Sequence, residues 1–427
     1  MAEPFDAVII GGGISGLACA RRLCDAKAGF LLVTDHLGGR MYHSDDSTMN
    51  FGATYVNADY RRVAPYIDRQ IPLRLHDLQF QQDDRVTTLF DWRNVVLCRP
   101  MLRVIGRLQK LRYALEAFRK DALQVPQDQL RRKHPLIDRY SRQPAEELID
   151  ELGMQAIDQR YAGPTFRSTG FATPSEATAL FYLASLLPMI VRTWVADFSR
   201  TYQRLTAGYQ ERIVLDRVVG VNRRQDRLEV HTHQGAVFPA RNVVIAAPYP
   251  DATMFYPVPQ PHRVTSATML FVRGVRRRPY RGKHLTVFPP PATIASVWNQ
   301  GYAWDQVYAL CPEPALAEVY ETSEVLRTVF WKTAIVLSDA HWAPLELEPG
   351  VFLASDYNVC GLEDTYINGV CAANQILGRA ATVALRRNRA QSASVATPRP
   401  SKTRAAGSGT PTESCNVCPL PAVPRIA

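Results

Sequence analysis

The residues Gly11-Gly12-Gly13-Ile14-Ser15-Gly16 follow the apolar run Asp6 to Ile10 and open a helical stretch, Leu17 to Ala26. This is GxGxxG between a strand and a helix, an arrangement that cradles the pyrophosphate of a dinucleotide. Gly11 permits the tight turn, Gly13 lets backbone amides approach the phosphates, and Gly16 lets helix and strand pack closely. Ile14 and Ser15 stand in the first turn of the helix, where unpaired N–H groups and the helix dipole favour an anion. A second apolar run, Phe30 to Thr34, ends at Asp35, 19 residues after Gly16, where a carboxylate can hold a ribose hydroxyl. Gly38-Gly39-Arg40 comes three residues later. Two glycines and an arginine suit a loop that wraps the other side of a pyrophosphate, with the guanidinium as charge partner.

Other reactive residues are less organised. Cys415 and Cys418 form a CxxC, but no second pair or histidine cluster lies nearby to complete a zinc site. Cys19 and Cys24 fall on the first helix, where small buried thiols are the ordinary reading. The tryptophans Trp194, Trp298, Trp304, Trp331 and Trp342, with Arg160 and Arg167, could line a substrate pocket, although any one of them is more often a core residue.

The elements that must position these residues begin as a βαβ unit. From about Tyr60 to Tyr202 the pattern is mostly helical, with proline-bearing breaks. Met101 to Lys120 carries apolar residues at helical spacing and a basic opposite face. It reads as an amphipathic helix packed on a core, with attraction to anionic lipid as the lesser option. Ala179 to Val195 is the most apolar stretch, but Pro188 and Arg192 interrupt it, so it reads as a buried helix pair rather than a membrane span. Strands return at Ile213 to Leu215, Val218 to Asn222, Leu228 to Thr232 and Val243 to Ala246, and again through Ala267 to Leu337. The last ordered unit is a strand, Gly350 to Asp356, then a helix from Asp364 to Leu385.

The pattern from the first strand through GGGISG, Asp35 and GGR resembles the FAD-binding motif of the amine oxidase, protoporphyrinogen oxidase and phytoene desaturase superfamily. Phe51-Gly52-Ala53 is similar to that family's short segment beside the flavin, and Val218 to the residue whose backbone touches the adenine. Val243 to Pro248 resembles the strand and turn that close the FAD domain. The run Gly350 to Asp356, with Gly361 and Ile367 to Gly369 after it, resembles the family's carboxy-terminal flavin motif. The resemblance implies that Asp356 contacts the ribityl–phosphate region and that the Ile367 backbone faces the isoalloxazine. It also implies that Trp331, in Phe330 to Ala334, lies close to the flavin. It gives no catalytic base: Ala267 to Arg273 holds no lysine, and Lys283 and Lys332 are the nearest candidates.

These readings converge on an α/β chain with a discontinuous Rossmann-like FAD-binding domain (1–60, 203–250 and 345–385). A mixed α+β substrate domain fills 61–202 and 251–344. Residues 386–427 form a disordered basic tail, poor in residues that could build a core. Seven Lys/Arg against one Glu give that tail +6 of the formal +10, so the folded part has no basic field suited to nucleic acid. The expected function is FAD-dependent hydride removal from a substrate C–N or C–C bond. FAD is expected to be non-covalent, the substrate small and apolar or aromatic, and the electron acceptor oxygen or a quinone. A non-redox flavoprotein, a flavin-fold carrier and an NAD-dependent dehydrogenase are the alternatives. Scattered cysteines and an amino terminus without signal-peptide features suggest the cytoplasm, with peripheral membrane contact as an addition.

Overall fold

In the computed structural model Ala7–Gly12 is a strand (β1) whose side chains leave it alternately on two sides, as a period of two requires. Ala7 and Ile9 join a core with Leu17, Ala18 and Leu23 of the helix Ile14–Asp25 (α1). Val8 and Ile10 join another with Val218, Leu228 and Val230. A strand buried on both faces belongs in a parallel sheet. Phe30–Leu37 (β2) lies parallel on one side of β1 and Val243–Ile245 on the other. Among the described residues the sheet runs Glu346–Glu348, Val351–Leu353, Val243–Ile245, β1, β2, Ile213–Leu215, and only the first strand is antiparallel to its neighbour. The chain direction across the sheet switches at β1, so a crevice opens at its carboxyl end, the usual ligand position in such sheets.

The structure describes residues 3–395 apart from 45–47, 83–84, 226 and 283–284, with side chains to residue 380. An antiparallel meander, Val218–Arg224, Arg227–Thr232 and Val237–Ala240, supplies the Val218 side of the β1 core. A second sheet is built on the long pair Arg263–Arg276 and Tyr320–Leu337, and it recruits Leu78–Gln82 beside Leu285–Val287. The helices between Cys98 and Ser185 gather around Leu108, Leu111, Leu115, Phe118, Tyr161 and Phe166. These elements all lie in one compact unit, Met1–Ala380, and the expected boundaries near 60, 202, 250 and 344 fall inside it.

Several expectations need correction. The stretch after Tyr60 opens with strands, Asp68–Leu73, Leu78–Gln82 and Arg85–Thr87, not helices. They are short and one contains Pro72, and partners distant in sequence, such as Leu285 opposite Leu78, secure their pairing. Ala179 to Val195 holds one helix, Ala179–Ser185, and a 3-10 turn, then enters the strand Thr193–Asp197 where a second helix was expected. One expectation holds among these: the helix Cys98–Asp121 turns Val104, Leu108, Leu111, Leu115 and Phe118 into the core, as an amphipathic helix packed on a core should. The carboxy-terminal helix runs Leu362–Val395, reaching into the tail expected to be disordered from 386. Alanine, arginine and glutamine there favour helix, and the first proline comes only at Pro398. Cys415 and Cys418 lie outside the described residues.

Candidate cofactor and active site

A cavity of about 550 Å³ begins at the carboxyl end of β1. Gly11 makes the turn there with φ +111°, and a β-carbon on it would stand 2.8 Å from the Ala246 carbonyl oxygen. The Gly12 N–H donates to Thr34 Oγ1 at 2.9 Å, which ties the turn to β2. Gly13 is different in kind. Its φ of −75° and ψ of 179° are open to any residue, and a β-carbon on it would meet nothing within 4 Å. Gly13 lines the cavity, so its missing side chain leaves room for a ligand rather than for protein. The amino end of α1 has no side-chain cap and no acid in its first turn. Beside it Ser15, 3% exposed, points a buried Oγ with no protein partner. An uncapped helix end, an orphaned hydroxyl and an empty cradle together suit a phosphate group.

Gly16 does not line the cavity. A β-carbon there would overlap the Gly11 carbonyl, so its work is the close packing of α1 on β1. Gly369 does the same for the carboxy-terminal helix, where a β-carbon would overlap the Ser15 carbonyl. That close approach seats the carboxy-terminal helix on the first glycine loop. Gly39, at φ +53°, folds the second glycine loop onto the first, with its β-position 3.1 Å from the Gly13 Cα.

Arg40 joins three segments. Its Nη1–H donates to the Ala334 carbonyl at 3.0 Å, its Nη2 pairs with Asp356 Oδ2 at 2.8 Å, and its own carbonyl accepts the Ala53 N–H at 2.8 Å. A β-carbon on Gly52 would overlap that same carbonyl, which explains the glycine. Burial opposes the charge on Arg40, yet the Asp356 carboxylate more than offsets it and holds the guanidinium above its ordinary value. Cys360 Sγ lies 3.8 Å from Asp356 Oδ2, and burial, then Asp356, pushes this thiol up to about 12.

Beside β2, Asp35 and Val218 line the cavity. Asp35 sits inside β2, which continues to Leu37, and its exposed carboxylate pairs with His36 at 2.8 Å. Asp216, whose N–H donates to the Thr34 carbonyl at 3.0 Å, and Asp251 are further acids there that the motifs did not point to. Ile367, whose backbone the resemblance set against the flavin, does not line the cavity: its side chain is wholly buried among the helices, and Gly361, Leu362 and Thr365, at the start of Leu362–Val395, take the lining position.

Toward the other end Trp331 lines the cavity and its Nε1–H donates to the Phe51 carbonyl. Lys332 lines it too, exposed at the edge, while Lys283 lies outside the described residues. Tyr308 was not expected. Its hydroxyl donates to the Gly52 carbonyl at 2.9 Å and touches Thr54, its ring faces Phe171 at 5.7 Å, and burial keeps the phenol well above its ordinary value, hence neutral. Nothing in the run Asp305–Ala309 marks it, since a strand tyrosine is ordinary. Trp194, Trp304, Trp342, Arg160 and Arg167 are absent from the lining, whereas Trp298 belongs to it.

One cavity thus collects both glycine loops, an uncapped helix end and a carboxylate from the end of the fold, which defines a dinucleotide-type cofactor site with an apolar annex. Residues 14–271, more than half of the chain, match the flavin containing amine oxidoreductases, and the chain belongs to that family. It is an FAD-dependent oxidoreductase, and the residues at the site fit FAD. Among solved structures it is similar to a double mutant of putrescine oxidase from a redesign of cofactor binding. The TM-score is 0.64 at 14% identity, covering 88% of this chain and 99% of that one. Wild-type putrescine oxidase bound to putrescine gives 0.61 at 15% identity with the same coverage. Cyclohexylamine oxidase from Brevibacterium oxydans IH-35A gives 0.58 at 14%, covering 88% and 98%. No curated protein matches the sequence. The non-redox, carrier and NAD-dependent alternatives are not favoured by this membership.

Proposed function

We propose that the chain oxidises a small apolar or aromatic amine, with FAD lying along the cavity from Asp35 and Val218, past Gly13, Ser15, Gly39 and Arg40, to Trp331. The observation that carries this reading is the empty space in front of Gly13 beside the orphaned Ser15 hydroxyl. When bound, FAD supplies the two-electron acceptor for hydride from a substrate C–N or C–C bond, with oxygen or a quinone as final acceptor. The chain's own part is to position and to exclude water. Segments 1–60, 203–250 and 345–385 hold the cofactor, and segments 61–202 and 251–344 the substrate. Cys360 supports non-covalent binding, since a thiol pushed up to about 12 stays protonated and is a poor nucleophile at neutral pH.

The substrate arm is lined by Leu78, Thr165, Phe171, Met189, Trp298 and Tyr308. Among the described residues the acids lining the whole cavity are Asp35, Asp216 and Asp251 at the nucleotide end and Asp356, which Arg40 neutralises. A second ammonium group on the substrate would therefore find no carboxylate there, and Arg74 and Lys332, which also line the cavity, would repel it. This favours monoamines with an apolar body over diamines. Anaerobic mixing tests it: a benzylamine or cyclohexylamine series should bleach the visible flavin band, and putrescine should do so far more slowly. Bleaching by diamines alone, or by no amine, would overturn the reading. Cysteines Cys19, Cys24, Cys98, Cys311, Cys360 and Cys371 are free, which supports a reducing cytoplasmic setting. No helix among the described residues is long and apolar enough to cross a membrane, so contact with a bilayer, as a source of apolar substrates, would be peripheral.

A further inference from the structure

Phe90, Trp92, Val95, Val96 and Leu102 are 67, 80, 72, 75 and 69% exposed. Single exposed apolar residues are ordinary, but five within thirteen residues are not. Local folding forces their exposure. The 3-10 helix Trp92–Leu97 opens on Asp91, whose carboxylate accepts the Arg93 N–H at 3.0 Å. On its inner side Asn94 donates to the Thr88 and Leu89 carbonyls, both at 3.1 Å, and accepts the hydroxyl of buried Tyr161 at 2.8 Å. Leu89 and Leu97 are buried on that side. With Asn94 pinned inward, Trp92, Val95 and Val96 can only project outward. The surface continues onto the following helix, where Leu102 and Tyr113 are eleven residues, close to three turns, apart and so share a face.

Charge decides the occupant. From Phe90 to Arg112 the chain carries Arg93, Arg99, Arg103, Arg107, Lys110 and Arg112 against Asp91 alone. Arg93 pairs with Asp91 at 3.8 Å and lies 5.5 Å from the Trp92 ring centroid, and Arg107 pairs with Glu151 at 3.2 Å, whereas Arg99 and Arg103 have no carboxylate partner among the described residues. A second copy of the chain, meeting this face through a twofold axis, would set one basic cluster against the other. A bilayer with anionic headgroups offers the apolar residues an acyl boundary and the arginines a negative surface at once.

We propose that the Phe90–Leu102 surface, extended by Tyr113, docks on an anionic phospholipid membrane. This assigns residues and a lipid class to the peripheral contact named above and rests on that reading. The test is co-sedimentation of the full chain, loaded with flavin, with phosphatidylcholine vesicles with and without phosphatidylglycerol. Wild type should bind the anionic vesicles and bind the neutral ones weakly. The triple variant Trp92→Ser, Val95→Ser, Val96→Ser should bind at least tenfold more weakly, with flavin content and melting temperature unchanged. Should that variant misfold, Arg99→Gln with Arg103→Gln leaves the Asn94 anchor untouched and should weaken anionic binding several-fold. Any one of three results overturns the proposal: no binding by wild type, full binding by the variants (which would assign it to the basic tail), or wild-type self-association that the triple variant abolishes. Flavin bleaching by amines should be equal in all these proteins, which separates failure of the surface from failure of the amine oxidase reading.

Discussion

Where the two glycine loops meet, the cavity wall is largely backbone: glycine turns, an uncapped helix end and the carbonyls they approach. At the end proposed for the substrate it is side chains, Leu78, Trp298 and Tyr308 from three strands and Phe171 from the turn after the helix Gly163–Gly170. Backbone walls fix a ligand common to many chains, because few residue types permit the geometry. Side-chain walls can be exchanged one by one, so they set what each chain accepts. The two ends should then answer mutation differently.

Gly13→Val gives the largest effect. Its backbone angles tolerate valine and a β-carbon there meets no protein atom within 4 Å, so the apoprotein should melt close to wild type while the branched side chain occupies cofactor space. Flavin-to-protein absorbance after purification should fall to near zero. Full occupancy would mean that the cradle holds nothing. Ser15→Ala is a finer probe of the same end. Removing a buried hydroxyl that has no protein partner should leave the apoprotein equal or slightly more stable, yet weaken FAD several-fold, since a hydrogen bond is worth about 0.5–1.5 kcal/mol. Equal FAD affinity would show that the hydroxyl faces no phosphate.

Tyr308→Phe probes the other end. It removes the donor to the Gly52 carbonyl and should leave flavin content unchanged while shifting kcat or KM for apolar amines by several-fold. A loss of flavin instead would place Tyr308 with the cofactor wall. The smallest effect concerns pH. Burial raises Cys360 and Cys371 from 9.0 to about 12, so below pH 9 neither costs stability. Between about 9 and 12 the unfolded thiols ionise and the folded ones do not, so stability should decline with rising pH across that window. Melting curves of Cys360→Ser against wild type should show a shallower decline in the variant, and iodoacetamide should label Cys360 slowly at pH 8.

The same contrast explains what the sequence made legible. Gly11, Gly16 and Gly369 are glycines because a β-carbon would strike backbone, so residue type records geometry directly. The meeting of Arg40 with Asp356 followed from two motifs 316 residues apart, although the ion pair between them did not. Tyr308, Thr54 and Met189 carry no such record, because a side chain of ordinary type becomes a wall only through tertiary packing. Ile367 shows the limit for helices. Apolar periodicity located the carboxy-terminal helix, but its start is set by Gly361 at φ +132° and by Glu363, which accepts the Arg61, Arg62 and Val63 N–H groups. Those partners lie some 300 residues away.

The central claim is that the two ends of the fold close on one FAD molecule through Arg40 and Asp356. Titrating FAD into apoprotein across a double-mutant cycle, Arg40→Ala, Asp356→Ala and both together, tests it most directly. Each single variant should weaken FAD roughly tenfold to a hundredfold, since hydrogen bonds to charged groups contribute about 1.5–3 kcal/mol. The double variant should lose less than the product of the two, because the residues contact each other. Wild-type FAD affinity in a well-folded Asp356→Ala protein would contradict the account.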